Sequence, residues 1–175
     1  PNPLSSLYFH TQTNASESTP LVSVLLPTYN AAHYLGKAIE SILSQSYHHF
    51  ELIIINDGST DNTAALLAQY ADPRVFVINQ LNQGLPKALN AGIQIAKGKY
   101  LARQDADDVS LPERLAQHVT FMENNPSYAL LGSWTNIMTT HGIQSDAESA
   151  NLCSKFSGRY HRHPTANGVL QIMLL

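Results

Sequence analysis

The chain has 175 residues, 43% of them hydrophobic and 13% charged, with a formal net charge of -3. That length supports one domain with a real core, and the acidic balance excludes the basic excess that nucleic acid or an anionic membrane would select. No apolar run is long enough to span a bilayer, and the single cysteine, Cys153, rules out an internal disulfide framework and suits a reducing compartment.

Residues 1–20 are rich in Ser, Thr, Asn and Pro and carry no hydrophobic period, which reads as a disordered leader. An apolar strand follows over residues 22–26, broken by Pro27-Thr28-Tyr29-Asn30. Leu35, Ala38, Ile39, Ile42 and Leu43 recur at helical spacing and predict an amphipathic helix over residues 32–44. A second strand is expected over 50–55, then a turn through Asn56-Asp57-Gly58-Ser59-Thr60. A helix over 61–70 follows, with Asp61 or a neighbour as its N-cap. The third strand is expected over 75–78, followed by a loop to Gly84, whose backbone is permissive. Pro86 belongs in the first turn of a helix that runs to about residue 96 and is closed by Gly98. A fourth strand over 100–104 ends at Asp105-Ala106-Asp107-Asp108. Pro112 then opens a helix to about residue 123, with Leu115, Val119 and Met122 facing inward. A fifth strand is expected over 128–131. Beyond Trp134 the signal weakens. Residues 139–157 read as loop, and Val169, Leu170 and Met173 predict a final helix over 164–175.

Strands apolar on both faces, alternating with helices, predict an α/β fold: a doubly wound, mostly parallel sheet flanked by helices. Such sheets bind ligands outside the carboxyl ends of their strands. The polar segments fall there: residues 28–30, 57–59, 82–87 and 105–108. Three carboxylates at the end of a buried strand repel one another, which makes sense if a cation sits among them. Hard divalent ions bridge such carboxylates to phosphates. The competing reading is a solvated turn whose aspartates cap the next helix.

Three other phosphate-binding designs can be tested. A dinucleotide site wants Gly-x-Gly-x-x-Gly after the first strand, where this chain has Pro-Thr-Tyr-Asn-Ala-Ala. The Gly-x-x-x-x-Gly-Lys-Ser/Thr loop is absent. A receiver domain built on Asp57 would want more acids at the first strand end, where Thr28 and Asn30 stand.

Residues 22–30 (Val-Ser-Val-Leu-Leu-Pro-Thr-Tyr-Asn), 54–61 (Ile-Ile-Asn-Asp-Gly-Ser-Thr-Asp), 82–85 (Asn-Gln-Gly-Leu) and 105–108 (Asp-Ala-Asp-Asp) occur in that order. In this they resemble family-2 glycosyltransferases of the GT-A, nucleotide-diphospho-sugar transferase-like fold, over about residues 21–134. The resemblance implies sugar transfer from a nucleotide-sugar, often a UDP-sugar, usually with inversion. The acceptor would be a hydroxyl of a glycan, a lipid or another molecule, as in polysaccharide biosynthesis. It also implies roles. Pro27, Thr28, Tyr29 and Asn30 would hold the base, with Tyr29 stacking on it and Asp57 accepting a hydrogen bond from it. Gly84 and Lys87 would lie near the ribose and diphosphate, and Arg103 near the diphosphate or paired with an aspartate. Asp105 would make ribose or second-shell contacts, and Ala106 would lie in the nucleotide-binding segment. Asp107, with Asp105 behind it, would hold Mn²⁺ or Mg²⁺. On this reading residues 21–135 form the nucleotide-sugar-binding domain, and 136–175 begin an incomplete acceptor side. The family's catalytic base is an Asp or Glu well beyond the Asp-x-Asp motif. After residue 134 only Asp146 and Glu148 remain, too close to that motif, so the base is expected outside the chain. The alternatives are a module that binds a nucleotide-sugar without transferring it, and a nucleotidyltransferase. The latter would want a glycine-rich basic loop after the first strand. A cytoplasmic location, with any attachment to the inner face of the membrane made through partners, follows from the resemblance.

Overall fold

The computed structural model describes residues 22–133, 138–139, 142–143 and 173–174. The expected leader lies outside these residues. The elements are β1 (Val22–Thr28), α1 (Ala32–Leu43), β2 (Phe50–Asp57), α2 (Thr63–Leu67), β3 (Val75–Gln80), α3 (Leu85–Ile95), β4 (Tyr100–Arg103) and α4 (Arg114–Asn124). The short strands β5 (Leu130–Leu131), β6 (Met138–Thr139), β7 (Gly142–Ile143) and β8 (Met173–Leu174) follow.

The main sheet has the order β3-β2-β1-β4-β8-β5. β3, β2, β1 and β4 are parallel to one another, whereas β8 pairs antiparallel with both β4 and β5. β1 and β2 are buried along their whole length, as their continuous Val, Leu and Ile runs require of strands covered on both faces. One face packs Val22, Val24, Leu26, Leu52 and Ile54 against Leu35, Ile39 and Ile42 of α1 and Leu115, Val119 and Met122 of α4. Each such fully buried side chain contributes about 1.5–3 kcal/mol. The other face packs Leu25, Ile53 and Ile55 against Ala88 of α3.

Several expectations are corrected. β3 is not covered on both faces: it is an edge strand, with Phe76 and Val77 about two-fifths exposed. β1, β2 and β3 all run two residues past their apolar cores. The polar ends pair with one another, Asn56 Nδ2 donating to Asn79 Oδ1 at 2.9 Å and Gln80 Nε2 to Asp57 Oδ1 at 2.7 Å. Pro27 is tolerated inside β1 for a local reason. The Leu25 carbonyl accepts from the Gln104 N–H at 2.9 Å, so Pro27, two residues on, turns its nitrogen to the same side, past the end of β4. No ladder bond is lost there. α2 is a short helix of five residues. Gly98 is not a left-handed cap. It sits against β1, where an added Cβ would lie 2.5 Å from the Ser23 nitrogen. Residues 138–139 and 142–143 form an antiparallel pair where a loop was expected. Of the expected final helix, Met173–Leu174 is a strand and the rest lies outside the described residues.

Candidate functional site

The order β3-β2-β1-β4 contains a reversal. The chain adds β2 and β3 on one side of β1, then crosses over to place β4 on the other. β1 and β4 therefore flank a topological switch point, the place where sheets of this kind open a crevice outside their carboxyl ends. Tyr29 and Asn30 stand on one side of it, Asp105 to Asp108 on the other.

The loops after β1 and β2 are clasped by Asn30. Its backbone is left-handed (φ 51°), a conformation Asn tolerates better than most residues. Its Oδ1 accepts from the Thr60 N–H at 2.7 Å and the Asp61 N–H at 3.3 Å, and its own N–H donates to Ser59 Oγ at 3.0 Å. Asp61 completes the clasp. One carboxylate oxygen accepts from Ala32 N–H at the start of α1, the other from Thr63 N–H at the start of α2. So Asp61 serves two helix starts without being the formal N-cap, which is Asn62. With Asn30 committed to this clasp, Tyr29 is left 52% exposed, its ring outside the core. Pro27 and Thr28 are buried at the strand end, and the Thr28 hydroxyl has no hydrogen-bond partner.

Asp57 joins the loops after β2 and β3. It is not a cap for α2, the helix that follows it. Besides Gln80, its carboxylate accepts from the Gln83 N–H at 2.9 Å and the Gly84 N–H at 2.8 Å. Burial pushes its carboxyl upward, but these hydrogen bonds outweigh that and hold it below the usual carboxylate range. Three of about four lone-pair positions are thereby used. Gly84 is the N-cap of α3, with φ 85°, a backbone that glycine adopts without strain. α3 has no side-chain cap, and Lys87 in its first turn is exposed.

The acidic turn is held from beneath by Gln104, Ser110 and Arg114, all buried. Gln104 Nε2 donates to the carbonyls of Asp105 (3.2 Å) and Asp108 (2.8 Å), both ends of the turn. Gln104 Oε1 accepts from Ser110 Oγ at 2.7 Å and from an Arg114 terminal nitrogen at 3.1 Å. The other terminal nitrogen of Arg114 donates to the Arg103 carbonyl at 2.9 Å. Burial lowers the Arg114 pKa to about 10, with Asp108 and Asp105 opposing that shift. The loop beyond and the start of α4 are tied to the segment just after α1. Gln45 Nε2 donates to the Leu111 carbonyl at 2.7 Å, and Gln45 Oε1 accepts from Leu115 N–H at 3.0 Å.

Arg103 forms a two-pronged pair with Asp105, at 2.7 and 3.0 Å, one of the two placements the sequence left open. Asp107 is exposed, and Ala106 is half-buried against the core. The sequence reading puts a cation among the three carboxylates; here Asp105 is already paired with Arg103. Among the described residues no three His, Cys, Asp or Glu side chains converge on a metal position. Arg103 and buried Arg114 already supply positive charge beside the turn. The residues still suit a divalent ion that brings its own phosphate and water ligands, because one open carboxylate, Asp107, is enough for such a site.

Gln104, Ser110, Arg114 and Gln80 were missed from sequence. Arg114 left a signal: it falls on the same helical face as Leu115, His118, Val119 and Met122, all buried. A charged residue in a core register is an anchor for something buried beside it. Gln104 and Gln80 left none, since polar residues at strand ends are ordinary.

The comparisons agree with this geometry. Residues 23–166 match the model of the family described as glycosyl transferase family 2. An uncharacterized glycosyltransferase of Haemophilus influenzae is 42% identical over 125 residues, covering 70% of this chain and 39% of the relative. The uncharacterized glycosyltransferase YibD of Escherichia coli is 44% identical over 97 residues, covering 54% of this chain and 28% of the relative. Residues 1–349 of S. aureus TarS in complex with UDP align with TM-score 0.63 and 26% identity, over 71% of this chain and 38% of that one. The mannosyltransferase PcManGT of Pyrobaculum calidifontis, in complex with GDP-Man and Mn²⁺, aligns with TM-score 0.62 over 89% of this chain and 45% of that one. At 23% identity it speaks for the GT-A fold. The chain spans less than half the length of these relatives. No helix among the described residues is long and apolar enough to cross a membrane. With the four motifs, the sheet that carries them and these likenesses in agreement, the chain belongs to glycosyl transferase family 2.

Proposed function

We propose that this chain supplies the donor site of a glycosyltransferase that moves a sugar from a nucleoside-diphosphate sugar, in the first place a UDP-sugar, to an acceptor hydroxyl. The observation that carries this reading is the strand-order reversal between β1 and β4, with an open tyrosine after one strand and a pre-formed acidic turn after the other. The choice of UDP draws on TarS, which is similar to this chain and has been solved with UDP and with UDP-GlcNAc.

On this reading Pro27, Thr28 and Tyr29 hold the base, Tyr29 by stacking, and Asn30 fixes the segment that carries them. Asp57 has one acceptor position left for a base N–H while it holds Gln83 and Gly84 in place. The uncapped start of α3, Lys87 and Arg103 face the diphosphate, since helix N-termini and cations favour anions. Asp105 makes ribose or second-shell contacts, Ala106 lies in the nucleotide-binding segment, and Asp107 is the metal ligand. Mn²⁺ or Mg²⁺, when bound, offsets the charge that the departing nucleoside diphosphate gains. In an inverting displacement the acceptor oxygen bonds to the anomeric carbon as the bond to the diphosphate breaks, and a base takes the hydroxyl proton. No residue described here is assigned as that base. A cytoplasmic location, with any membrane attachment made through partners, belongs to the same proposal.

Calorimetric titration with UDP and with GDP, each with and without Mn²⁺, tests it. We expect metal-dependent UDP binding that is lost in Asp107→Ala. Binding of neither nucleotide by the wild-type chain would sink the reading. The second reading is a module that binds donor without transfer. UDP binding with no acceptor-dependent UDP release would select it.

A further inference from the structure

We propose that Gln104 and Arg114 are positioning residues that build the acidic turn in its ligand-ready shape before any nucleotide or metal arrives. The inference rests on the donor-site reading above and deepens it.

Repulsion among Asp105, Asp107 and Asp108 works against a tight turn in the absence of a cation. An unsupported turn of this kind would be ordered by its ligand, and binding would be weakened by the entropy of that ordering. Here the support is internal. One amide, Gln104 Nε2, donates to the carbonyls at both ends of the turn, Asp105 and Asp108. The same side chain's Oε1 is held by two donors, Ser110 Oγ and Arg114, so the amide has a fixed orientation. Arg114 also holds the Arg103 carbonyl, just before the turn. Arg114 Nε is buried without a partner and Arg114 is 5% exposed, so its charge lies beneath the turn and is shielded from solvent. The backbone on the way out is fixed separately, the Ser110 N–H donating to Ser41 Oγ of α1 at 3.0 Å. Besides the turn's own Asp108 N–H to Asp105 carbonyl bond at 3.2 Å, the network holds the turn through Gln104 and leaves the exposed Asp107 uncommitted.

The test is Gln104→Glu. It keeps the side-chain volume and the acceptor for Ser110 and Arg114, but replaces the donating amide with an oxygen facing two carbonyls. Amide hydrogen exchange in the metal-free, nucleotide-free chain reads the turn directly, and calorimetry with UDP and Mn²⁺ reads its consequence. We expect exchange at residues 105–108 to rise and UDP binding to weaken about tenfold, the effect of one buried hydrogen bond. Arg114→Lys, which keeps the charge but loses the fork, should act in the same direction with a smaller change. Ser23→Ala, at the opposite end of β1, is the stability control. It should lower the melting temperature without changing UDP affinity. Unchanged exchange at the turn and unchanged UDP affinity in Gln104→Glu would overturn the inference while leaving the donor site standing. A weakened affinity in Ser23→Ala equal to that in Gln104→Glu would also overturn it, because the effect would then be one of stability. Failure of the wild-type chain to bind UDP or GDP would overturn the donor-site reading, and this inference with it.

Discussion

The two ends of β1 are closed by the same device, side chains hydrogen-bonded to backbone groups, but they are closed differently. At the amino end the Ser23 hydroxyl donates to Glu51 at 2.6 Å and accepts from Gly98 N–H at 2.8 Å, and Glu51 accepts from Lys97 N–H at 2.7 Å. Ser23 and Glu51 are buried, and Gly98 packs against strand backbone. At the carboxyl end Asn30, Asp57 and Gln104 clasp loops whose outer side chains, Tyr29 and Asp107, stay exposed. A closed end stabilises. An end whose backbone is fixed while its functional side chains remain open can bind. Rigid loops with unused polar atoms are what a pre-formed ligand site requires.

The sharpest way to break this contrast is Gly98→Ala. Its Cβ would sit 2.5 Å from the Ser23 nitrogen and 2.8 Å from the Val22 carbonyl carbon, backbone atoms that cannot swing aside. We expect a loss of about 3 kcal/mol in denaturant unfolding, at the upper end of overpacking effects, with UDP affinity of the folded fraction unchanged. A changed affinity would mean the two ends are not independent.

Acid gives the next largest effect. His118 lies on α4 one turn after Arg114, and burial, with Arg114 adding to it, lowers its pKa from 6.5 to about 4. The folded state therefore binds fewer protons than the unfolded state between those values, and protonation favours unfolding. The His118 contribution is complete above pH 6.5 and falls as the pH drops toward about 4, by about 3 kcal/mol in all. Urea melts across this window should show the slope, and His118→Gln should remove most of it. Hydrogen exchange during acidification should rise in α4 before it rises at Ser23 and Glu51.

The smallest effect is expected from Arg103→Gln. The Arg103–Asp105 pair is about two-fifths exposed, so removing it should change stability by about 0–1 kcal/mol. The same substitution sharpens the contrast, because it should weaken UDP binding while leaving melting nearly unchanged. An unaltered UDP affinity would remove Arg103 from the site.

Much of this could be read along the chain, and the reason is periodicity. Val, Leu and Ile runs in β1 and β2 and the repeat Leu35, Ala38, Ile39, Ile42 in α1 encode which faces are buried, so element type and sheet class follow locally. The order of four polar motifs encodes the family for the same reason: each lies at a strand end. What tertiary structure alone decided was the partner of each polar group. Asp57 reads as a base acceptor or a helix cap, and only the parallel register that sets it beside Gln80 brings Gln83 and Gly84 onto its carboxylate. The acidic turn reads as a cluster awaiting a cation. Only the packing of α4 against the sheet brings Arg114 onto the Gln104 amide that holds the turn. Hydrophobic burial follows from residue type and spacing, whereas a hydrogen bond needs two particular groups brought within about 3 Å, which residue type alone does not specify. The amino-acid sequence therefore determined the layers and the edge where chemistry gathers, and three-dimensional contact decided which side chains are spent on holding that edge and which are left open.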